Sequence, residues 1–213
     1  MLIDTHCHLD AAEFDRDREE VLEAARAAGV GGCLVPAVCA ENFDAVAALS
    51  ASGRSCCHAL GIHPLYVQRA QEADLELLRT RLAEGAAVAV GEIGLDGFVV
   101  NGDMPLQRRY FEAQLKIARD FELPVLLHIR RAQDEILKYL RRIAVPGGIA
   151  HAFNGSAQQA RGFVDMGFKL GFGGTLTFDR ALQVRRLAQA LPSEAIVMET
   201  DAPDIPPHWL YRS

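Results

Sequence analysis

Residues 86–130 read AAVAVGEIGLDGFVVNGDMPLQRRYFEAQLKIARDFELPVLLHIR. An apolar run, Ala86–Gly91, is followed by a helical pattern over Pro105–Phe121 and then by a second apolar run, Pro124–His128. The two runs are short and continuously apolar, as expected of strands covered on both faces. Pro105 stands where a first helical turn accepts a residue without an N–H. Strand, helix, strand in this order is the crossover unit of a parallel sheet.

The same alternation extends in both directions. Further apolar runs lie at Leu2-Ile3, Gly32–Pro36, Cys56–Gly61, Gly148–Ala150, Phe168–Gly171 and Ala195–Met198. Between them fall helical patterns at Arg16–Ala28, Glu41–Ser52, Ala73–Glu84, Ala132–Ile143, Ser156–Met166 and Arg180–Leu191, with Gly29 and Gly167 as stops. Eight such strands predict an α/β fold closed as a TIM-like (β/α) barrel rather than an open doubly wound sheet. No linker, low-complexity tract or charge block divides the chain, so residues 1–213 read as one barrel domain. The closing helix is the missing piece. After the eighth strand only Asp201–Ser213 remain, proline-rich and short, whereas a complete barrel takes about 250 residues. Either the chain is a shortened form or its first and last strands are covered differently. The expectation is apolar surface around Leu2, Ile3, Ile196 and Val197, hence self-association through the first and eighth strands or reduced stability.

Composition narrows the function classes. Of 213 residues, 50% are apolar and 23% charged, an ordinary globular balance. No stretch is apolar for long enough to span a bilayer, and MLIDTHCHLD lacks the layout of a secretory signal, so a cytoplasmic protein without a membrane partner is expected. Cys7, Cys33, Cys39, Cys56 and Cys57 form no C-x-x-C pair and read as reduced, structural thiols. A net charge of −6 argues against a sequence-independent duplex binder. It leaves room for a phosphate ester, because bound divalent cations would invert the local field.

Catalytic groups of such barrels gather at the C-terminal ends of the strands. His6 and His8 follow the first strand, and a two-residue spacing on an extended chain turns both imidazoles to one side. Glu92 ends the run Ala86–Gly91, His128 ends PVLLHIR, His151 ends GGIAHAF, and Asp201 follows the eighth strand in VMETDAP. Singly, each has a plainer reading as a capping carboxylate, a core histidine or a turn aspartate. Together, ligand-capable groups at the ends of strands one, four, five, six and eight point to a metal centre. Imidazoles and carboxylates without thiolate suit Mg²⁺, Mn²⁺ or Zn²⁺.

LIDTHCHLD, GEIGLD, PVLLHIRRAQDE and METDAP, with GIHP at 61–64 and HAFNGS at 151–156, resemble the motifs of the TatD family of metal-dependent deoxyribonucleases, among the amidohydrolase-like barrels. The likeness runs from Met1 to about Pro203. It implies a divalent-metal phosphodiesterase that removes nucleotides from the 3′ side of single-stranded DNA or frayed ends. It further implies two divalent cations bridged by Glu92, with His6, His8 and Asp201 completing one site and His128 and His151 the other. Many relatives in the wider superfamily bridge with a carbamylated lysine. Here the only lysines are Lys116, Lys138 and Lys169, none at the end of the fourth strand, which leaves Glu92. By the same resemblance Asp201 would hold and deprotonate the attacking water. His63 would contact the phosphate or leaving group, unless it is only a loop histidine before Pro64. Arg130 would pair with a phosphate or with a carboxylate of the protein itself, and Phe153 and Asn154 are further candidate substrate contacts. Gly97-Phe98 stands where the family has an aromatic pair, which weakens the expected stacking. Two other readings stay open: an amide or ester hydrolase on the same centre, and a non-catalytic metal-binding remnant.

Overall fold

Eight parallel strands pair in chain order: β1 (Leu2–Asp4), β2 (Val30–Pro36), β3 (Cys56–Leu60), β4 (Ala89–Asp96), β5 (Val125–Arg130), β6 (Gly148–Ala150), β7 (Phe168–Phe172) and β8 (Ile196–Met198). Helices α1 (Arg18–Ala27), α2 (Phe43–Ala51), α3 (Glu72–Ala83), α4 (Met104–Asp120), α5 (Gln133–Arg142), α6 (Ala157–Val164) and α7 (Leu182–Ala190) carry the crossovers. This computed structural model describes residues 1–53, 55–99 and 102–211. The architecture is the TIM-like (β/α) barrel expected from the alternation.

Two apolar layers hold it together. Val35, Leu60, Val90, Val125 and Leu170 face outward and bury against helix residues such as Leu78, Phe111, Ile136 and Phe163. Leu34, Ala59, Ala89 and Leu126, with Cys57 and Ile149, come from strands alone and fill the barrel's interior. That division follows from the two-residue period of a strand. The helix signals work as their chemistry requires. Asp103 accepts the N–H of Leu106 at the start of α4, with Pro105 in the first turn. Ser156 and Gln159 cap α6 reciprocally.

Most expected boundaries hold to within a residue or two, and two differences carry information. The segment expected to be helical from Glu41 opens as a 3₁₀ turn, Ala40–Asn42, before α2. More consequential, β4 does not stop before Glu92 but starts at Ala89 and continues to Asp96, so Glu92 lies within a strand. Two glycines of this strand serve close strand approach. A Cβ on Gly91 would lie 2.5 Å from Cβ of Leu126, and one on Gly94 would lie 1.9 Å from the His128 carbonyl oxygen. The register with β5 shifts between Val90 and Ile93, a local irregularity of the kind that re-aims a side chain.

The barrel closes between β1 and β8 through the segments that follow the strands. Thr5 N–H donates to the Met198 carbonyl (3.0 Å), Asp201 N–H to His6 (2.8 Å) and His8 N–H to Ala202 (2.8 Å). Asp4 accepts from the Thr200 hydroxyl (2.6 Å) and the Thr200 N–H (3.0 Å). On the outside of this seam Leu2, Ile3 and Met198 are exposed and Ile196 and Val197 are half-buried. Among the described residues after β8 the only helical turn is the 3₁₀ segment His208–Leu210. No described helix is long and apolar enough to cross a membrane.

Candidate metal centre

The six residues singled out as ligands converge at the C-terminal mouth of the barrel. His6 and His8 lie on the segment leaving β1, Glu92 within β4, His128 within β5, His151 directly after β6 and Asp201 three residues past β8. Glu92 sits at their middle, fully buried. Its Oε2 lies 3.2 Å from Nε2 of His6 and 3.7 Å from Nε2 of His8. Oε1 lies 3.0 Å from Nδ1 of His128, 3.4 Å from Nε2 of His63 and 3.5 Å from Nε2 of His151. Asp201 Oδ1 stands 3.5 Å from Nε2 of both His6 and His8. His151 also stacks on His6, with centroids 3.9 Å apart against 6.0 Å from His128.

These distances set the charges. Burial works to raise the pKa of Glu92, but the charges of His63, His6 and His151 and the hydrogen bond from His128 outweigh it and hold the carboxyl well below its ordinary range. For His151, burial is likewise overcome by the charges of Glu92, Glu199 and Asp201 and by the Glu199 contact, and its pKa rises to about 10. His128 and His8 are raised against burial by Asp96 with Glu92 and by Asp201 with Glu92, respectively. Burial wins at His6, whose pKa is lowered, and at His63, pushed down to about 4. Asp201 is held low despite burial by its hydrogen bond with His8 and the charges of His151 and His6.

Hydrogen bonds also decide which nitrogens carry protons. Nδ1 of His63 accepts the N–H of Leu65 (3.1 Å), so neutral His63 carries its proton on Nε2, aimed at Glu92. His63 is therefore a donor rather than a lone-pair ligand in this arrangement. Asp96, which sequence reasoning passed over, lies 3.1 Å from Nε2 of His128 and leaves Nδ1 for the centre. Glu199, also passed over, lies 3.4 Å from Nδ1 of His151. Both acids stand inside motifs already quoted, GEIGLD and METDAP. A buried acid a few residues from a ligand was the available signal.

The candidate substrate contacts fare unevenly. Phe153 is a correction: it is 1% exposed and packs edge-on to Phe163, so its ring belongs to the core and faces no substrate. Asn154 is exposed, and its carbonyl accepts from Gln133 (2.7 Å). Arg130 stands at the rim with Nη1 4.0 Å from Asp96, and its guanidinium lies over the Phe98 ring at 3.9 Å. Arg131 lies over the same ring at 4.5 Å.

The donor set fits divalent cations. His6, His8 and Asp201 offer ligand atoms within 4.8 Å of one another, as do His6, Glu92 and His151. Nε2 of His6 and Nε2 of His8 lie 3.3 Å apart, a separation that lets both rings reach one cation. Oxygen and imidazole nitrogen without sulfur match Mg²⁺, Mn²⁺ or Zn²⁺.

Comparison with known proteins agrees with this chemistry. The family model for TatD-related DNases matches residues 3–212. The metal-dependent hydrolase YjjV of Escherichia coli K12, itself uncharacterized, is 44% identical over 207 residues, covering 96% of this chain and 80% of its own. The crystal structure of YjjV, a TatD homologue, superposes with a TM-score of 0.93 at 42% identity, over 97% of this chain and 81% of that one. The 3′-5′ ssDNA/RNA exonuclease TatD of Klebsiella pneumoniae is 34% identical over 213 residues, covering 98% of this chain and 81% of its own.

Proposed function

The chain belongs to the family of TatD-related DNases, metal-dependent hydrolases acting on ester bonds, and from that premise we propose that it is a 3′-to-5′ exonuclease on single-stranded DNA or frayed ends. The observation that carries the reading is the division of imidazoles by Glu92. One carboxylate oxygen faces His6 and His8; the other faces His128 and His151. A carboxylate shared in this way suits two divalent cations, with Asp201 joining the first group.

Such cations, when bound, acidify water and neutralise charge building on a phosphoryl group. The residues of this chain do the rest. Asp201, held ionised, takes the proton of the attacking water. His63 donates its Nε2–H to a phosphoryl or leaving oxygen, and its lowered pKa keeps it neutral across the physiological range. Arg130 pairs with a phosphate at the rim in this reading, supported by its guanidinium lying over the Phe98 ring at 3.9 Å. A net charge of −6 confines attraction for nucleic acid to this mouth, which suits one flexible strand better than a duplex. The exposed Leu2, Ile3 and Met198 at the seam make self-association part of the same reading.

The test is digestion of one oligonucleotide labelled at either end, with Mg²⁺ or Mn²⁺. A 5′ label should give a ladder of stepwise shortened products, and a 3′ label should appear at once as mononucleotide. Absence of cleavage with either metal, or release of internal fragments, would refute the proposal.

A further inference from the structure

We propose that Glu199 is a positioning residue for the metal centre: its carboxylate holds the proton of His151 on Nδ1 and so turns the Nε2 lone pair toward Glu92. This rests on the binuclear reading above and concerns a residue outside the six ligands. Glu199 leaves the end of β8 and is buried. Its Oε1 accepts the N–H of Ala152 at 2.5 Å and stands 3.4 Å from Nδ1 of His151. Among the described residues Nδ1 of His151 makes no hydrogen bond, its contact with Oε1 of Glu199 being an ion-pair approach at 3.4 Å, and Oε2 has no partner.

The setting is built around the carboxylate. A Cβ on Gly171 of β7 would lie 2.0 Å from Glu199 Oε2, so only glycine leaves the slot open. Ala152 takes a left-handed conformation (φ +44°), which directs its N–H inward to the same oxygen. One carboxylate thus holds the turn that carries His151 and stands against Nδ1 of the ring. Satisfying a single backbone N–H does not call for a charge, since any neutral acceptor would serve. A buried carboxylate with one oxygen unpaired is unfavourable unless the charge acts on something. Here it acts on the imidazole: an anionic acceptor at Nδ1 fixes the tautomer and makes Nε2 the better donor.

The experiment compares wild type with Glu199→Gln, which keeps the volume and an acceptor for Ala152 but removes the charge. Zn²⁺ is titrated calorimetrically into the metal-free protein, and imidazole ¹⁵N and ¹H spectra are taken on the Zn²⁺-loaded form. The expected result is a loss of about tenfold to a hundredfold in Zn²⁺ affinity, with the melting temperature of the metal-free protein unchanged. In wild type His151 should bear its proton on Nδ1, shifted far downfield by the carboxylate, and Glu199→Gln should lose that shift. Equal affinities, or a variant less stable but undiminished in affinity, would overturn the proposal. So would a wild-type spectrum with no proton on Nδ1 of His151, whatever the variant does. A wild type that binds no Zn²⁺, Mg²⁺ or Mn²⁺ would instead overturn the centre itself.

Discussion

Replacing Glu92 with glutamine puts the proposed centre to its hardest test, because the shape stays while the charge and one oxygen go. An amide nitrogen has no lone pair to offer a cation. Placed at the Oε1 position, it would face Nδ1 of His128 (3.0 Å) and Nε2 of His151 (3.5 Å). Placed at Oε2, it would face Nε2 of His6 (3.2 Å) and His8 (3.7 Å). Either rotamer spoils one half of the donor set. These contacts set a working distance of about 4 Å, at which two unit charges interact by about 4 kcal/mol for an effective dielectric constant of about 20, and a divalent cation doubles that. At about 1.4 kcal/mol per decade, the loss is at least about a thousandfold in affinity at one metal position. Turnover should fall at least as far. The fold should persist, because Glu92 contributes no hydrophobic contact to either apolar layer. Manganese binding by calorimetry, single-turnover cleavage of a 5′-labelled single strand and circular dichroism together read the outcome. Wild-type rates at saturating metal in a folded Glu92→Gln protein would refute the bridging role and the charge argument beneath it.

Four further outcomes follow from particular contacts. His63→Phe removes a donor while keeping a ring in the buried slot, so kcat should drop by about a hundredfold to a thousandfold with metal content by atomic absorption unchanged; loss of metal instead would make His63 a ligand. Blunt duplex should be cut much more slowly than single strand of the same sequence, and equal rates would contradict confinement of the substrate to the barrel mouth. His58 is buried, its Nδ1 has no partner among the described residues, and burial lowers its pKa. The unfolded chain therefore binds the extra proton first, so stability should fall as pH drops below 6.5, the ordinary histidine value. That fall should be shallower in His58→Leu melted over the same pH range, and parallel profiles would dismiss His58 as its source. Finally, Leu2→Lys with Ile3→Lys should convert any self-association seen by light scattering to monomer; an unchanged mass would show that the seam is not the contact.

Alternation of short apolar runs with helical patterns was legible because burial on both faces of a parallel strand leaves a continuous apolar signature. The polar residue interrupting or following five of those runs then stood out, which is why His6, His8, Glu92, His128, His151 and Asp201 could be named from chain position. Local signals misled where one residue type serves two ends. The apolar run stops at Gly91, but Gly91 and Gly94 permit β4 to press against β5, and this places Glu92 inside a strand. Phe153, beside a proposed ligand, is core because Phe163 of α6 meets it from across the layer.

Sequence by itself thus determined the barrel and the chemistry of its donors, since both depend on residue type and periodicity along the chain. Tertiary structure alone decided how those donors divide and which nitrogen of each ring is offered. Glu92 faces His6 on one oxygen and His128 on the other. Leu65 fixes the proton of His63, Asp96 lies against Nε2 of His128, and Glu199 stands at Nδ1 of His151. A tautomer is set by the partner across space, at hydrogen-bond distance, and chain order holds no record of which partner that will be.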